Sequence, residues 1–268
     1  MPLELIVCGA AGRMGGAVIR AIRQAGDVAL CAAIDKPGSP RLGRDAGEVA
    51  GAGPIGVKLT DRIEPHLDRR AVVIDFTNPA ASLGYLKAAA RAARPIVIAT
   101  TGFSAGQRAA IARLARRTPA LLAANTSLGV AVLTGIVGRV ARALGDDYDI
   151  EVIEAHHRFK KDAPSGTALA LAGAVARALG RDLDRVSVSG RKGLVGERTR
   201  REIALLSVRA GDIVGEHTVI FGGIGERLEL THRAHSRETF ARGALRAARW
   251  LATQKPGLYR IEDALGLK

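Results

Sequence analysis

With 268 residues, 47% of them hydrophobic, the chain has enough apolar material to bury one large core or two ordinary ones, which excludes disorder as the default state. Forty Lys and Arg against 26 Asp and Glu leave a formal charge of +14, which admits nucleic acid, an anionic membrane or a small anionic ligand as partner. Aromatic residues are only 3% of the chain, too few to stack successive bases, and no uninterrupted apolar run reaches the roughly 18 residues of a membrane span, so a soluble protein with neither partner is expected.

The N-terminus, "MPLELIVCGAAGRMG", has no basic segment ahead of an apolar run and no small-residue cleavage site, so an unexported protein is expected. Residues 3–9, "LELIVCG", read as an apolar strand, "GAAGRMGG" as a turn, and "AVIRAIRQAG" as a helix ending at Gly26. "VALCAAID" follows as a second strand, completing a βαβ unit that ends on Asp35. Cys8 and Cys31 lie in or beside these apolar runs, with no C-x-x-C and no His/Cys cluster, so packed thiols and no metal are expected.

Gly9, Gly12 and Gly15 form G-x-x-G-x-x-G, the dinucleotide fingerprint with its middle glycine moved one place. Among 32 glycines a triplet by itself signifies only a turn. Its place between a strand and a helix gives it meaning, because backbone N–H groups and the helix N-terminus there can hold a pyrophosphate. Asp35 is then placed to accept hydrogen bonds from the adenine ribose diol.

Strand-like runs recur at 71–77, 95–101 and 120–124, separated by alanine-rich helical stretches at 79–93 and 104–117. Alternating apolar strands and helices predict a doubly wound parallel sheet. In such a sheet the ligand crevice lies beyond the carboxyl ends of the strands, so "IATTGF" and "AANTS" nominate Thr100, Thr101, Gly102 and Asn125 for the nicotinamide side. Taken one at a time, each is also an ordinary loop residue.

The pattern changes after Asn125. A helix over about 128–144 leads to the strand "YDIEVIEAHH" and then to the helix "SGTALALAGAVARALG". From Arg185 on, "VSVSG", "EIALLSVRAG", "EHTVIFGG" and "ERLELTHRA" read as strands with turns that suit antiparallel neighbours. A second, α+β domain is expected, and "SRETFARGALRAARWLAT" is a helix able to pack back on the first.

The segment "EAHHRFKKDAPSGTAL", 154–169, carries the densest chemistry. If the strand continues, His156 and His157 point to opposite faces, so one of them faces a reaction. Lys160 and Lys161 by themselves read as solvated charges. Pro164-Ser165-Gly166-Thr167 opens an apolar helix, where the N–H groups of Gly166 and Thr167 with the Thr167 hydroxyl form an anion cradle. The plainer alternative is that Ser165 or Thr167 merely caps that helix. Imidazoles and ammoniums nearby favour a carboxylate site.

These motifs, with "IDFT", "ATTGF", "AGDIVGEHTV" and "GERLELTHRAHSR", resemble the bacterial 4-hydroxy-tetrahydrodipicolinate reductase (dihydrodipicolinate reductase) family of the diaminopimelate and lysine pathway, in order along essentially the whole chain. The resemblance implies an N-terminal Rossmann domain, residues 1–126, completed by 237–268, and a central mixed-sheet domain, 127–236, for substrate binding and assembly as a homotetramer. It implies NADH or NADPH as cofactor and a small dicarboxylate as substrate. His156 resembles the catalytic acid/base and Lys160 the proton donor, while His157, Gly166 and Thr167 resemble the substrate contacts. Cofactor positions fall on Gly9, Ala10, Ala11, Gly12, Arg13 and Met14, on Asp35 and Lys36, on Ala99, Thr100 and Thr101, and on Ala123, Ala124, Asn125 and Thr126. Arg237 is a further candidate for a substrate carboxylate. Three departures stand out: Asp35 where Glu is usual, Lys36 where Arg is common, and Thr126 where an aromatic residue is expected. Three other readings give distinct expectations. A nucleic-acid binder would lose affinity steeply with salt, a dinucleotide sensor would have no need of His156 and Lys160, and another Rossmann reductase would act on a different small imino acid.

Overall fold

The computed structural model describes residues 1–267, and the chain divides into two units. Met1–Leu128 with Arg237–Gly266 make the first, and Gly129–Ser236 with Leu267 belong to the second. In chain order the first comprises β1 (Leu3–Cys8), α1 (Arg13–Gln24), β2 (Val28–Ile34), α2 (Ala46–Ala50), β3 (Leu59–Thr60), β4 (Ala71–Asp75), α3 (Pro79–Arg91), β5 (Ile96–Ile98), α4 (Ala105–Ala115) and β6 (Pro119–Leu122). Then follow α5 (Leu128–Leu144), β7 (Asp149–His156), α6 (Gly166–Ala178), α7 (Leu183–Val186), β8 (Ser187–Val188), β9 (Ile203–Arg209), β10 (Gly215–Gly222) and β11 (Arg227–Ala234). The chain returns to the first unit with α8 (Glu238–Leu251) and β12 (Gly257–Tyr259).

The first sheet is wholly parallel, with strand order β12-β6-β5-β4-β1-β2-β3. Its strands read as continuous apolar runs because both faces are covered: β4 and β5 are buried at every position. The order reverses direction between β1 and β4, the place where a doubly wound sheet opens a crevice. Helix α8 packs on α1 and on β4, β5 and β6, so the apolar stripe of "GALRAARWL" finds its partner there. Contact is close enough that a Cβ on Gly243 would fall 1.7 Å from the Thr126 carbonyl oxygen.

The second sheet runs β11-β10-β7-β9-β8. It departs from the antiparallel reading of the strands after residue 185. Strands β10 and β11 do form an antiparallel hairpin, but β9 pairs in parallel with both β7 and β8. The earlier strand β7 lies between β9 and β10, so the sheet is mixed. Eight-residue β7, which mixes apolar and ionisable side chains, takes the centre, where both its edges are hydrogen-bonded, and this pairing depends on contacts remote in sequence. Helices α5 and α6 supply Leu133, Val137, Leu171 and Val175 to the core against Ile150, Val152, Val219 and Phe221. The segment Leu128–Asp147 is long and apolar enough to cross a bilayer by length and composition, although no uninterrupted apolar run is. Its inward stripe is used in this core.

Candidate functional site

Each unit presents one candidate surface. In the first, the register of β1 on β2 ends with Cys8 opposite Ile34, and the N–H groups of Gly9 and Ala10 both donate to the Ile34 carbonyl, at 2.9 and 3.0 Å. The glycine turn and Asp35 therefore emerge side by side. Gly9 needs its φ of +75°, a conformation a side chain would strain. A Cβ on Gly15 would lie 2.2 Å from the Gly9 carbonyl oxygen, so only glycine lets α1 press this closely onto the turn. Helix α1 starts at Arg13 with no side-chain cap and no acidic residue in its first turn. Its leading N–H groups are thus without a side-chain acceptor, which fits the pyrophosphate of a dinucleotide.

The remaining nucleotide candidates follow the same edge of this sheet. Asp35 and Lys36 come directly after β2, Ala99, Thr100 and Thr101 after β5, and Ala123, Ala124, Asn125 and Thr126 after β6. Arg13, Lys36, Thr101 and Ala124 are exposed. Two side chains turn inward instead. Thr126 is buried and its hydroxyl donates to the Phe240 carbonyl at 2.7 Å, so it anchors α8 where an aromatic ring is expected. Thr100 is buried in a hydroxyl network with Ser82 and Asp75, which the sequence reading does not single out. Asp75 ends β4, fully buried, and accepts from the Thr77 N–H and hydroxyl and from Ser82. Burial pushes its carboxyl above the ordinary range, against the opposing pull of those hydroxyls. No periodicity signals this knot, because its members come from the end of β4, the loop after it, the first turns of α3 and the loop after β5.

In the second unit, β7 carries Glu154 and His156 two residues apart, hence on one face. Across the sheet Glu154 is opposite Ser207 on β9 and His217 on β10, and His156 is opposite Arg209. Pairing therefore gathers Glu154, His156, Ser207, Arg209 and His217 on one side. Glu154 is 1% exposed. It accepts a two-pronged bond from Arg209, at 2.8 and 2.7 Å, the Ser165 N–H at 3.2 Å, and His156 Nδ1 at 2.6 Å. Burial alone would raise this carboxyl. The bonds from Arg209, His156 and Ser207 hold it down to about 2 instead, so it is a carboxylate at neutral pH.

That charge fixes the imidazole. With Nδ1–H donated to Glu154, the His156 Nε2 carries the lone pair, and it lies beside Gly215, where a Cβ would stand 3.1 Å away. Burial lowers the His156 pKa from its ordinary value, opposed by Glu154 and assisted by the charges of Lys160 and Arg209. Desolvation within the cluster is the largest cause. The ring of His217 meets that of His156 edge to face at 5.2 Å, and its Nε2 lies 3.0 Å from the Ser165 hydroxyl. Burial, with His156 as a lesser cause, pushes His217 down to about 3.

The loop after β7 is pinned to the same carboxylate. Arg209 donates to the Asp162 carbonyl at 2.7 Å while Glu154 holds the Ser165 N–H. Ser165 caps α6 by accepting from the Ala168 N–H, which is the plainer of the two readings of that turn for this residue. Gly166 and Thr167 occupy the first helical turn, Gly166 exposed and Thr167 buried. The Lys160 ammonium bonds both carboxylate oxygens of Asp162 at 2.9 Å, whereas Lys161 is exposed. Strand β7 stops at His156, and the His157 ring stacks obliquely on exposed Phe159 at 6.2 Å. Arg237 is the N-cap of α8, in the first unit. Glu154 was accessible to sequence reasoning through its two-residue spacing from His156, but Arg209 and His217 carry no such signal.

Two sequence-family models match, described as "Dihydrodipicolinate reductase, N-terminus" over residues 3–126 and "Dihydrodipicolinate reductase, C-terminus" over residues 129–265. A 4-hydroxy-tetrahydrodipicolinate reductase of Citrifermentans bemidjiense is 50% identical over 99% of this chain and 100% of its own length. One of Thiobacillus denitrificans is 52% identical over the whole of both chains. Among solved structures, a dipicolinate-bound dihydrodipicolinate reductase from Paenisporosarcina sp. TG-14 superposes with a TM-score of 0.75 over 98% of this chain and 99% of its own, at 23% identity.

Proposed function

The chain belongs to the dihydrodipicolinate reductase family, and from that premise we propose how its own residues carry out the family's reaction. That reaction is the NAD(P)H-dependent reduction of 4-hydroxy-tetrahydrodipicolinate to tetrahydrodipicolinate in diaminopimelate and lysine biosynthesis. In balance, the substrate loses its hydroxyl as water and gains one hydride and one proton. The reduced nicotinamide, when bound, supplies the hydride. Gly9 to Met14 hold the pyrophosphate, Asp35 and Lys36 the adenine ribose, and the ends of β5 and β6 (Ala99–Thr101 and Ala123–Thr126) the nicotinamide side.

His156 supplies the proton at Nε2 as negative charge reaches the ring nitrogen and its conjugated carbon. The single observation that carries this role is the 2.6 Å contact of its Nδ1 with buried Glu154. In the free protein, burial favours the neutral imidazole. A bound dianion adds negative charge beside it and raises its proton affinity, so the acid form builds when substrate arrives. Lys160 exchanges Asp162 for the substrate and stabilises the developing charge. The first turn of α6, at Gly166 and Thr167, with His157, receives the carboxylates.

The positive excess of the chain is read as serving a dianionic substrate and a pyrophosphate, not nucleic acid or a membrane. A cytoplasmic homotetramer is the proposed working form, supported by the second sheet's other face, where Ile153, Leu206 and Ile220 are only partly buried and Val208 is 45% exposed. The test is NADPH and NADH oxidation with freshly generated hydroxy-tetrahydrodipicolinate, for the parent and for His156→Gln. The parent turns over, and the variant loses about 10²-fold or more in kcat while binding coenzyme normally. Turnover of the variant within threefold of the parent sinks the role of His156, and an inactive parent sinks the whole reading.

A further inference from the structure

The loop that follows β2 returns a cation to the glycine turn. Arg41 Nη1 donates to the Ala11 carbonyl oxygen at 2.5 Å, across thirty positions of sequence. The guanidinium is exposed, and no carboxylate among the described residues pairs with it. Its loop is held at both ends. Ser39 is buried, its N–H donates to the Lys36 carbonyl, and its own carbonyl accepts from Leu42. Gly43 donates to Leu59 at 2.8 Å, and Pro37 and Pro40 restrict the intervening backbone. Arg41 is therefore presented on a fixed support.

Positive groups gather at this position. The N-terminus of α1 carries partial positive charge, Arg13 already stands at its first position, and no acidic residue occupies the first turn. Arg41, over Ala11, adds a second guanidinium to this end of the helix. Asp35 stands one residue beyond β2 and beside the turn, and its carboxylate suits ribose hydroxyls. A 2′-phosphate on that ribose would bring between one and two negative charges against Asp35 and would need cations from another direction. Lys36 supplies one as a flexible point charge. Arg41 supplies the other, as a planar fork with several N–H groups left for phosphate oxygens.

We infer that Arg41 is a specificity-determining residue, held on the Ala11 carbonyl so that its remaining N–H groups read the 2′-phosphate of NADPH. This rests on the assignment of the first unit's glycine turn to a dinucleotide. A contact with the pyrophosphate, common to NADH and NADPH, is the competing role, and the experiment separates the two.

The experiment is equilibrium binding without substrate, by nicotinamide fluorescence for NADPH and NADH and by calorimetry for 2′,5′-ADP and 5′-AMP, at one fixed low salt concentration. For Arg41→Leu the dissociation constants of NADPH and 2′,5′-ADP rise about fivefold or more, while those of NADH and 5′-AMP stay within about twofold. Arg41→Lys falls between, because it keeps the charge and loses the fork. A thermal melt confirms that each variant is folded, and Arg41→Lys decides the matter if the leucine variant is not. Equal weakening of NADPH and NADH, or no change in either, overturns the inference while leaving the dinucleotide site standing. A parent protein that binds none of the four overturns both.

Discussion

Replacing Glu154 by Gln keeps its shape and removes its charge, and the geometry around it sets the size of the effect. Oε2 takes His156 Nδ1 and one Arg209 nitrogen, and Oε1 takes the other Arg209 nitrogen and the Ser165 N–H. An amide must turn its NH₂ toward one of these pairs. Placed at Oε1 it opposes two donors. Placed at Oε2 it opposes one and donates to His156 Nδ1, which is the less costly choice. The imidazole proton then moves to Nε2, and protonating Nδ1 is disfavoured.

A hydrogen bond to a charged group contributes about 1.5–3 kcal/mol, or roughly one to two pKa units. The His156 pKa, already lowered by burial, falls by about that much more. An acid must be protonated to donate, so activity is lost as pH rises through its pKa. The falling limb of the kcat profile therefore moves about one to two units toward acid, and kcat at neutral pH drops about ten- to hundredfold. Arg209 is left with a poorer partner, so a melting curve accompanies the profile, and Glu154→Asp is the control. The aspartate keeps the charge, so its limb stays near that of the parent even if its rate is lower. A Glu154→Gln enzyme that is folded and slower, but whose falling limb has not moved, would refute the claim that Glu154 sets the proton affinity of His156.

Thr167→Val is expected to raise KM about ten- to hundredfold with a smaller change in kcat, since a hydrogen bond to an anion is lost at the α6 turn; an unchanged KM would make that hydroxyl purely structural. Asp35 favours NADH while Lys36 opposes it, so both coenzymes should support turnover with kcat/KM within about tenfold, and Lys36→Ala or raised salt should diminish NADPH use more than NADH use. Parallel titrations test this, and a preference beyond a hundredfold for either coenzyme contradicts it. Acid should destabilise the fold. His217 takes up its proton near 6.5 when unfolded but only at about 3 when folded, and Glu154 near 4.5 against about 2. The unfolded chain thus binds more protons from about pH 6.5 downward, and stability falls with pH, by about 2–3 kcal/mol at pH 4.5 from His217 alone. Urea unfolding at pH 7 and 4.5 measures it, His217→Asn should flatten the dependence, and an unaltered slope in that variant would exclude His217 as the cause.

Much of the first unit is decided locally. A strand, a glycine turn and a helix within 24 residues make the proposed nucleotide cradle, because Gly9 and Gly15 meet backbone constraints that other residues cannot, and apolar strands alternating with helices suit a parallel sheet covered on both faces. The face of β7 that carries the proposed acid is legible to the same extent, since two-residue spacing puts Glu154 and His156 together whatever else pairs with the strand. Tertiary structure alone decided the partners of that face. Arg209 reaches Glu154, and His217 reaches Ser165 and the His156 ring, because β9 and β10 flank β7 on opposite edges, an order that depends on contacts remote in sequence, 55 residues apart for Arg209 and 52 for His217 with Ser165, and leaves no periodic trace. The inward turn of Thr100 and Thr126, the return of Arg41 to the glycine turn, and the lowered proton affinity of His156 are of the same kind. Each depends on which groups exclude water from which, and a chain fixes that only when its distant segments have closed around one another.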